Sequence, residues 1–172
     1  MLNYNSVIKN EINHESVSIK EISPVIKINV RGKKREFLTN IGKNLNMILP
    51  TEANTSSTSD KLTAIWLSPD EWMIVSNELA SKDTNKYDLY EVLFNSISKT
   101  NLGAVIDVTD QFVQLELKGE NIYEIFSAGS PFNFNEFKEK KGSTTQTVLN
   151  HIDVILHHKD ENIVNLFVRR SF

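Results

Sequence analysis

The chain has 172 residues, a hydrophobic fraction of 40%, a formal net charge of −3 and no cysteine. That length fits one ordinary domain or two small lobes, and the acidic balance argues against a general nucleic-acid binder. The lack of cysteine excludes disulfides, Cys-ligated zinc, iron–sulfur clusters, thiol catalysis and thioether flavin attachment within this chain.

Residues 1 to 20 are polar with scattered apolar positions and read as a flexible N-terminal segment or a strap lying on a neighbour. They hold no apolar core of signal-peptide length, and no stretch of the chain approaches the roughly 20 apolar residues that span a bilayer. The expectation is a cytoplasmic protein. Val25 to Val30 alternates and predicts a strand. Arg31-Gly-Lys-Lys-Arg35 follows as a basic turn, either a solvated hairpin tip or an anion site. Glu36 to Met47 holds a short helix or a strand, ended by Leu49-Pro50. Thr51 to Asp60 is Ser/Thr-rich and reads as a flexible connection.

Leu62 to Ser76 predicts a hairpin. Its apolar arms flank Ser68-Pro-Asp-Glu71, where Pro69 fixes φ for a tight turn and Ser68 and Asp70 bond local backbone. The two tryptophans, Trp66 and Trp72, stand one on each arm. Asp83 and Thr84 offer N-caps for a helix to about Lys99, with Leu89, Val92, Leu93 and Ile97 as its apolar face and Gly103 as a left-handed cap. Ala104 to Val108 reads as a short buried strand and Phe112 to Leu117 as its returning partner. A helix over Asn121–Ala128 presents Ile122, Ile125 and Phe126. Phe132, Phe134 and Phe137 pack under a sheet or cover a partner. Thr145 to Asn150 is a strand, and Ile152–His157 with Ile163–Arg169 form a second hairpin.

Antiparallel strands with helices on one face define an α+β fold. Hairpin followed by helix occurs twice, which points to two small ferredoxin-like lobes, about 21–100 and 101–172, within a domain spanning 21–172.

No nucleophile elbow, dinucleotide fingerprint or P-loop occurs. His157 and His158 are neighbours on a strand and point to opposite faces, so they do not share a metal. Asp107 and Asp110 flank a strand end; they serve either as a general base or polar-ligand acceptor, or as turn residues bonding local N–H groups. Asp70 carries the same ambiguity. Arg169 and Arg170 close the last strand, and an arginine fork there suits an interface or inter-lobe clamp as well as plain solvation.

Several segments in order carry a family resemblance: Val25-Ile-Lys-Ile-Asn-Val-Arg-Gly32, the Pro69-Asp-Glu-Trp72 hairpin, Ala104-Val-Ile-Asp-Val-Thr-Asp-Gln111, Ala128-Gly-Ser-Pro-Phe132, Gln146-Thr147 and Val168-Arg-Arg-Ser-Phe172. Over roughly residues 20 to 172 the series resembles the gamma subunit of heterotetrameric sarcosine oxidase. The resemblance implies an α+β fold similar to folate-binding aminomethyltransferase proteins and a non-catalytic role. It also implies alpha, beta and delta partner subunits, with FAD, FMN, NAD, zinc and tetrahydrofolate on those partners and none in this chain. No nucleic acid or membrane is implied. Family members continue beyond Arg-Ser-Phe into an aromatic-rich helix, whereas this sequence stops at Phe172. Candidate interface or structural residues are Arg31, Trp66, Asp70, Trp72, Asp107, Asp110 and Arg170, none of them catalytic. Two other readings stand beside this one. A free-standing folate-binding protein or transferase would stack a ring on Trp66 or Trp72 near Asp107 or Asp110. An RNA-associated factor would use Arg31 to Arg35.

Overall fold

The structure, a computed structural model, describes residues 4–77 and 88–172. Its elements in chain order begin with β1 (Ile12–His14), β2 (Val17–Glu21), β3 (Lys27–Arg31), α1 (Arg35–Leu45), β4 (Ser56–Thr58), β5 (Leu62–Ser68) and β6 (Glu71–Ser76). Then come α2 (Asp88–Leu93), a π-helical segment (Phe94–Ser98), β7 (Ala104–Asp107) and β8 (Phe112–Gly119). The chain closes with α3 (Ile122–Gly129), α4 (Asn135–Glu139), β9 (Thr144–Leu149), β10 (Ile152–Asp160) and β11 (Ile163–Arg169). Two compact units result, one formed by Met1–Pro24 with Asp110–Phe172, the other by Val25–Thr109. The sequence reading divided the chain near residue 100 and set 1–20 apart; in the structure β1 and most of β2 lie within that first stretch and pair with each other and, through β2, with β8.

The 25–109 unit is a five-stranded antiparallel sheet in the order β4-β5-β6-β3-β7. One face carries Ile28, Val30, Ala64, Trp72 and Ile74, and α1 packs there through Phe37, Ile41 and Leu45. Spacing of four puts those three on one helical stripe. Burying each contributes about 1.5–3 kcal/mol, which outweighs the weak helix propensity of Gly42 and the asparagines. The helix stops at Asn46, whose left-handed backbone (φ 50°) lets its N–H bond the Gly42 carbonyl.

Several expectations change here. Arg31–Arg35 is not a hairpin tip but the β3–α1 connection, with Arg35 opening the helix. The polar stretch 51–60 contains β4, paired with β5 from Ser56↔Ile65 to Thr58↔Thr63. Asp83 and Thr84 lie outside the described residues. Val92 is 48% exposed, off the stripe formed by Leu93 and Ile97. Asn101 (φ 57°), not Gly103, takes the left-handed position after the helix. Gly103 instead permits close approach: a Cβ there would lie 2.3 Å from the Arg31 carbonyl oxygen and 2.8 Å from Phe37 Cδ2.

The other unit is a six-stranded antiparallel sheet in the order β1-β2-β8-β11-β10-β9. Leu117, Val154, Leu156, Val164 and Leu166 share a face with Ile122 and Phe126 of α3 and with Phe134 and Phe137. The phenylalanines pack edge-on, Phe132 and Phe134 at 4.9 Å between ring centroids and Phe134 and Phe137 at 5.9 Å. Ile125 is 46% exposed and leaves this core. A two-residue turn with positive φ at Asn150 and His151 joins β9 to β10.

The expected pairing of 104–108 with 112–117 does not occur. β7 pairs with β3 as an edge strand, with Val105 buried and Ile106 56% exposed, whereas β8 lies between β2 and β11. The cause is local. The Thr109 N–H donates to Asp107 Oδ1 (2.9 Å), and the Lys27 N–H donates to Thr109 Oγ1 (3.1 Å), so the chain stays fastened to β3 until it departs.

Candidate functional site

The β5–β6 turn and the end of β3 bring four charged side chains together. Arg31 Nε lies 3.4 Å from Asp70 Oδ2, Lys33 Nζ lies 3.6 Å from the same oxygen, and Arg31 Nη1 lies 3.9 Å from Glu71 Oε2. The turn backbone is tied in as well, with the Gly32 N–H donating to the Asp70 carbonyl at 2.9 Å. Ser68 Oγ donates to Asp70 Oδ1 at 2.9 Å. This hydroxyl, followed by Arg31 and Lys33 against the opposing effect of burial, holds the Asp70 carboxyl below its ordinary range. Two cations of the basic run thus face the hairpin's own acid. Asn29 Nδ2 fixes Glu71 through a 2.7 Å bond.

The tryptophans sit directly opposite one another in the β5–β6 register. Trp72 is 2% exposed, donates Nε1–H to the Pro50 carbonyl at 2.7 Å and stacks on Phe37 with centroids 6.0 Å apart. Trp66 is half-buried against the same core. Trp72 is therefore committed to packing, not presented to a ring-shaped ligand.

Asp107 and Asp110 are both exposed and fall in different units. Asp107 uses a carboxylate oxygen to cap the Thr109 N–H, which is turn chemistry. Sequence reading missed Lys27. It is 1% exposed, and its Nζ donates to the Val25 carbonyl at 3.0 Å and the Thr109 carbonyl at 3.2 Å. The signal was present only as a lysine inside an alternating strand, which ordinarily marks a solvent-facing position.

Arg170 lies just beyond β11. Its guanidinium donates to the Asn5 carbonyl and stands 5.0 Å from the Tyr4 ring centroid. Glu21 holds the same segment from the other side. Its carboxylate accepts from Tyr4 Oη, Ser6 Oγ, and the N–H groups of Val7 (2.8 Å) and Ile8 (3.0 Å). Burial alone would raise the Glu21 pKa; the donors, led by Ile8 N–H and Ser6, outweigh it and lower it. Glu21 was not a sequence candidate because it closes a stretch that reads as loosely ordered.

His157 and His158 are each 4% exposed, and the His158 Nδ1 lies 3.0 Å from the Lys140 carbonyl. Burial, followed by the nearby His158 and Lys159, lowers the His157 pKa to about 4. Among the described residues no three His, Asp or Glu side chains are grouped to hold a metal, and no helix is long and apolar enough to cross a membrane. An open groove of about 540 Å³ along the end of α1, lined by Leu38, Gly42, Lys43, Met47, Ile48 and Leu49, contains none of the candidate residues.

Two antiparallel sheets, each with helices on one face, define an α+β protein with the aminomethyltransferase type of fold. Glycine cleavage system aminomethyltransferase T from Bartonella henselae is similar with a TM-score of 0.59 and 17% identity, over 89% of this chain and 42% of that one. The heterotetrameric sarcosine oxidase from Corynebacterium sp. U-96, in complex with pyrrole 2-carboxylate, contains a chain that is similar with a TM-score of 0.80 and 19% identity, over 94% of this chain and 80% of that one. The model of the sarcosine oxidase, gamma subunit family matches residues 32–172, and the chain belongs to that family. No curated protein matches the sequence.

Proposed function

We propose that this chain is a non-catalytic subunit of a heterotetrameric oxidase that demethylates sarcosine to glycine and passes the one-carbon unit to tetrahydrofolate. Membership of the gamma subunit family over residues 32–172 carries this reading. The fold-level likeness to a chain of the Corynebacterium enzyme supports it. In this reading the alpha, beta and delta subunits hold FAD, FMN, NAD, zinc and tetrahydrofolate, and the complex is cytoplasmic.

The chain's own contribution is surface and scaffold. Arg31, Asp70, Asp107 and Arg170 hold turns and segments in place and, with the exposed Asp110, present polar contacts to neighbours, while Trp66 and Trp72 stiffen the hairpin that displays Asp70. The test is affinity purification of the chain from its source cell. Co-elution with flavin-bearing subunits and sarcosine turnover by the complex, with none by the isolated chain, is the expected result. Elution as a lone monomer, or turnover of an N-methyl amino acid by the chain alone, would overturn the reading.

A further inference from the structure

Residues 4–8 are held to the six-stranded unit almost entirely by two charged side chains. None of residues 4–11 belongs to a strand or helix, and Tyr4, Val7 and Ile8 stand outside the hydrophobic cluster of that unit. Asn5, Ser6 and Val7 are exposed, as are Lys9, Asn10 and Glu11, which lead on to β1. A segment with few apolar contacts and an exposed backbone opens at low free-energy cost. What holds it is the Glu21 carboxylate on one side and the Arg170 guanidinium on the other.

Both anchors stand on fixed backbone. Glu21 is paired with Leu115 across β2 and β8, and the next N–H, of Ile22, donates to the Gln114 carbonyl at 2.9 Å. The Arg170 N–H donates to the Gln111 carbonyl at 2.8 Å. Anchors and segment all belong to the same compact unit. The carboxylate is seated on the consecutive N–H groups of Val7 and Ile8, a backbone nest for an anion, and it also takes the hydroxyls of Tyr4 and Ser6. The guanidinium takes the Asn5 carbonyl and the face of the Tyr4 ring, whose centroid is 5.0 Å away. Every contact is thus to backbone N–H, backbone C=O, an aromatic ring or a hydroxyl. Those are the groups of a short uncharged peptide, with an aromatic residue and a hydroxyl residue two positions later as its side-chain content.

We propose that Glu21 and Arg170 form a recognition site for an extended, uncharged polypeptide segment of a partner chain, and that residues 4–8 are its displaceable resident occupant. The partner segment carries an aromatic residue followed two positions on by Ser or Thr, as Tyr4-Asn-Ser6 does. The need for a partner chain rests on the subunit reading above. Because the resident is tethered, it competes at an effective concentration on the order of millimolar. The site is therefore closed in the free chain and opens to a partner only by exchange.

The probe is the peptide Tyr-Asn-Ser-Val-Ile with both ends blocked, titrated by NMR into the full chain and into its Tyr4→Ala variant. Amide signals outside residues 4–8 that match the parent show that each variant is folded. The peptide is expected to bind Tyr4→Ala at least fivefold more tightly than the parent, because the tethered competitor has lost its ring and its hydroxyl. In the Tyr4→Ala background, adding Arg170→Ala or Glu21→Gln is expected to weaken the peptide at least fivefold, and the reversed peptide is expected not to bind. Equal affinity for parent and Tyr4→Ala, or affinity indifferent to Arg170 and Glu21, would overturn the proposal. A concentration-dependent dimer in sedimentation that Arg170→Ala abolishes would overturn the partner assignment in favour of a second copy of this chain. The titration contains no other subunit, so its failure leaves the subunit reading standing, and failed co-purification leaves the peptide affinities as measured.

Discussion

Gly103 approaches Arg31 so closely that a single methyl group has nowhere to go: the added carbon would sit 2.3 Å from the Arg31 carbonyl oxygen and 2.8 Å from the Phe37 ring. Both obstacles belong to the framework, one being backbone of β3 and the other a fully buried ring. Gly103→Ala is therefore expected to destabilise the chain by about 1–3 kcal/mol or more, as overpacking does. Urea denaturation of the two forms measures it, and an unchanged midpoint would show that β7 slides away from β3 without cost.

The tryptophans are separable by the same measurement. Trp72→Phe keeps most of the ring stack on Phe37 but orphans the Pro50 carbonyl, an expected loss of about 1–3 kcal/mol. Trp72→Ala is expected to cost about 3–5 kcal/mol. Trp66→Ala is expected to cost clearly less than Trp72→Ala, since Trp66 is only half-buried. Equal losses at the two alanine variants would contradict the assigned burial.

His157 sets a pH dependence. Its folded-state pKa of about 4 lies below the ordinary 6.5, so the unfolded chain binds its proton first. Its contribution is fully present above pH 6.5 and is lost as pH falls from 6.5 towards 4. The shift corresponds to about 3 kcal/mol. His157→Leu is expected to flatten the stability profile across that window. Parallel profiles for the two proteins would show that the imidazole charges without penalty.

Asp70 acts at lower pH. Its lowered pKa means its contribution is present above the ordinary carboxylate value and disappears as pH falls through the folded one. Arg31 and Lys33 are 61% and 83% exposed, so solvent screens both pairs. Asp70→Asn is expected to shift the thermal midpoint only slightly at neutral pH, and raising the salt concentration is expected to shrink the difference further. A large loss that survives high salt would mean the turn depends on this carboxylate far more than exposed ion pairs do.

Residues 4–8 are predicted to come loose when Glu21 loses its charge. In Glu21→Gln the Val7 and Ile8 amides give up an ionised acceptor. Their hydrogen exchange is expected to quicken at least tenfold while exchange in β8 and β11 stays unchanged. Uniform change everywhere, or none at Val7 and Ile8, would show that the carboxylate does not secure the segment.

The hairpins were legible in the sequence because two local signals agree there: alternation along the arms and turn chemistry between them. This holds at Pro69-Asp70 and at Glu161-Asn162. What alternation cannot state is the identity of the partner. Residues 104–107 and 112–119 both read as strands, and nothing in either shows that they join separate sheets. Helix α1 was obscured for the opposite reason. Gly42, Asn40 and Asn44 weaken its local preference, and only the sheet against Phe37, Ile41 and Leu45 decides it. The Arg31–Asp70 pairing, the Asn5–Arg170 bond and the burial of Lys27 all join residues far apart in the chain, which local pattern does not reveal.

The six-stranded sheet is stitched from both ends of the polypeptide, with 25–109 inserted between. During synthesis β2 emerges early but must wait for β8, its inner partner, which follows some ninety residues later. The inserted unit is contiguous and can complete itself first. Nascent chains halted once Thr109 has cleared the ribosome are then ones in which half the protein is protease-resistant while its opening strands still lack the neighbour that shelters them.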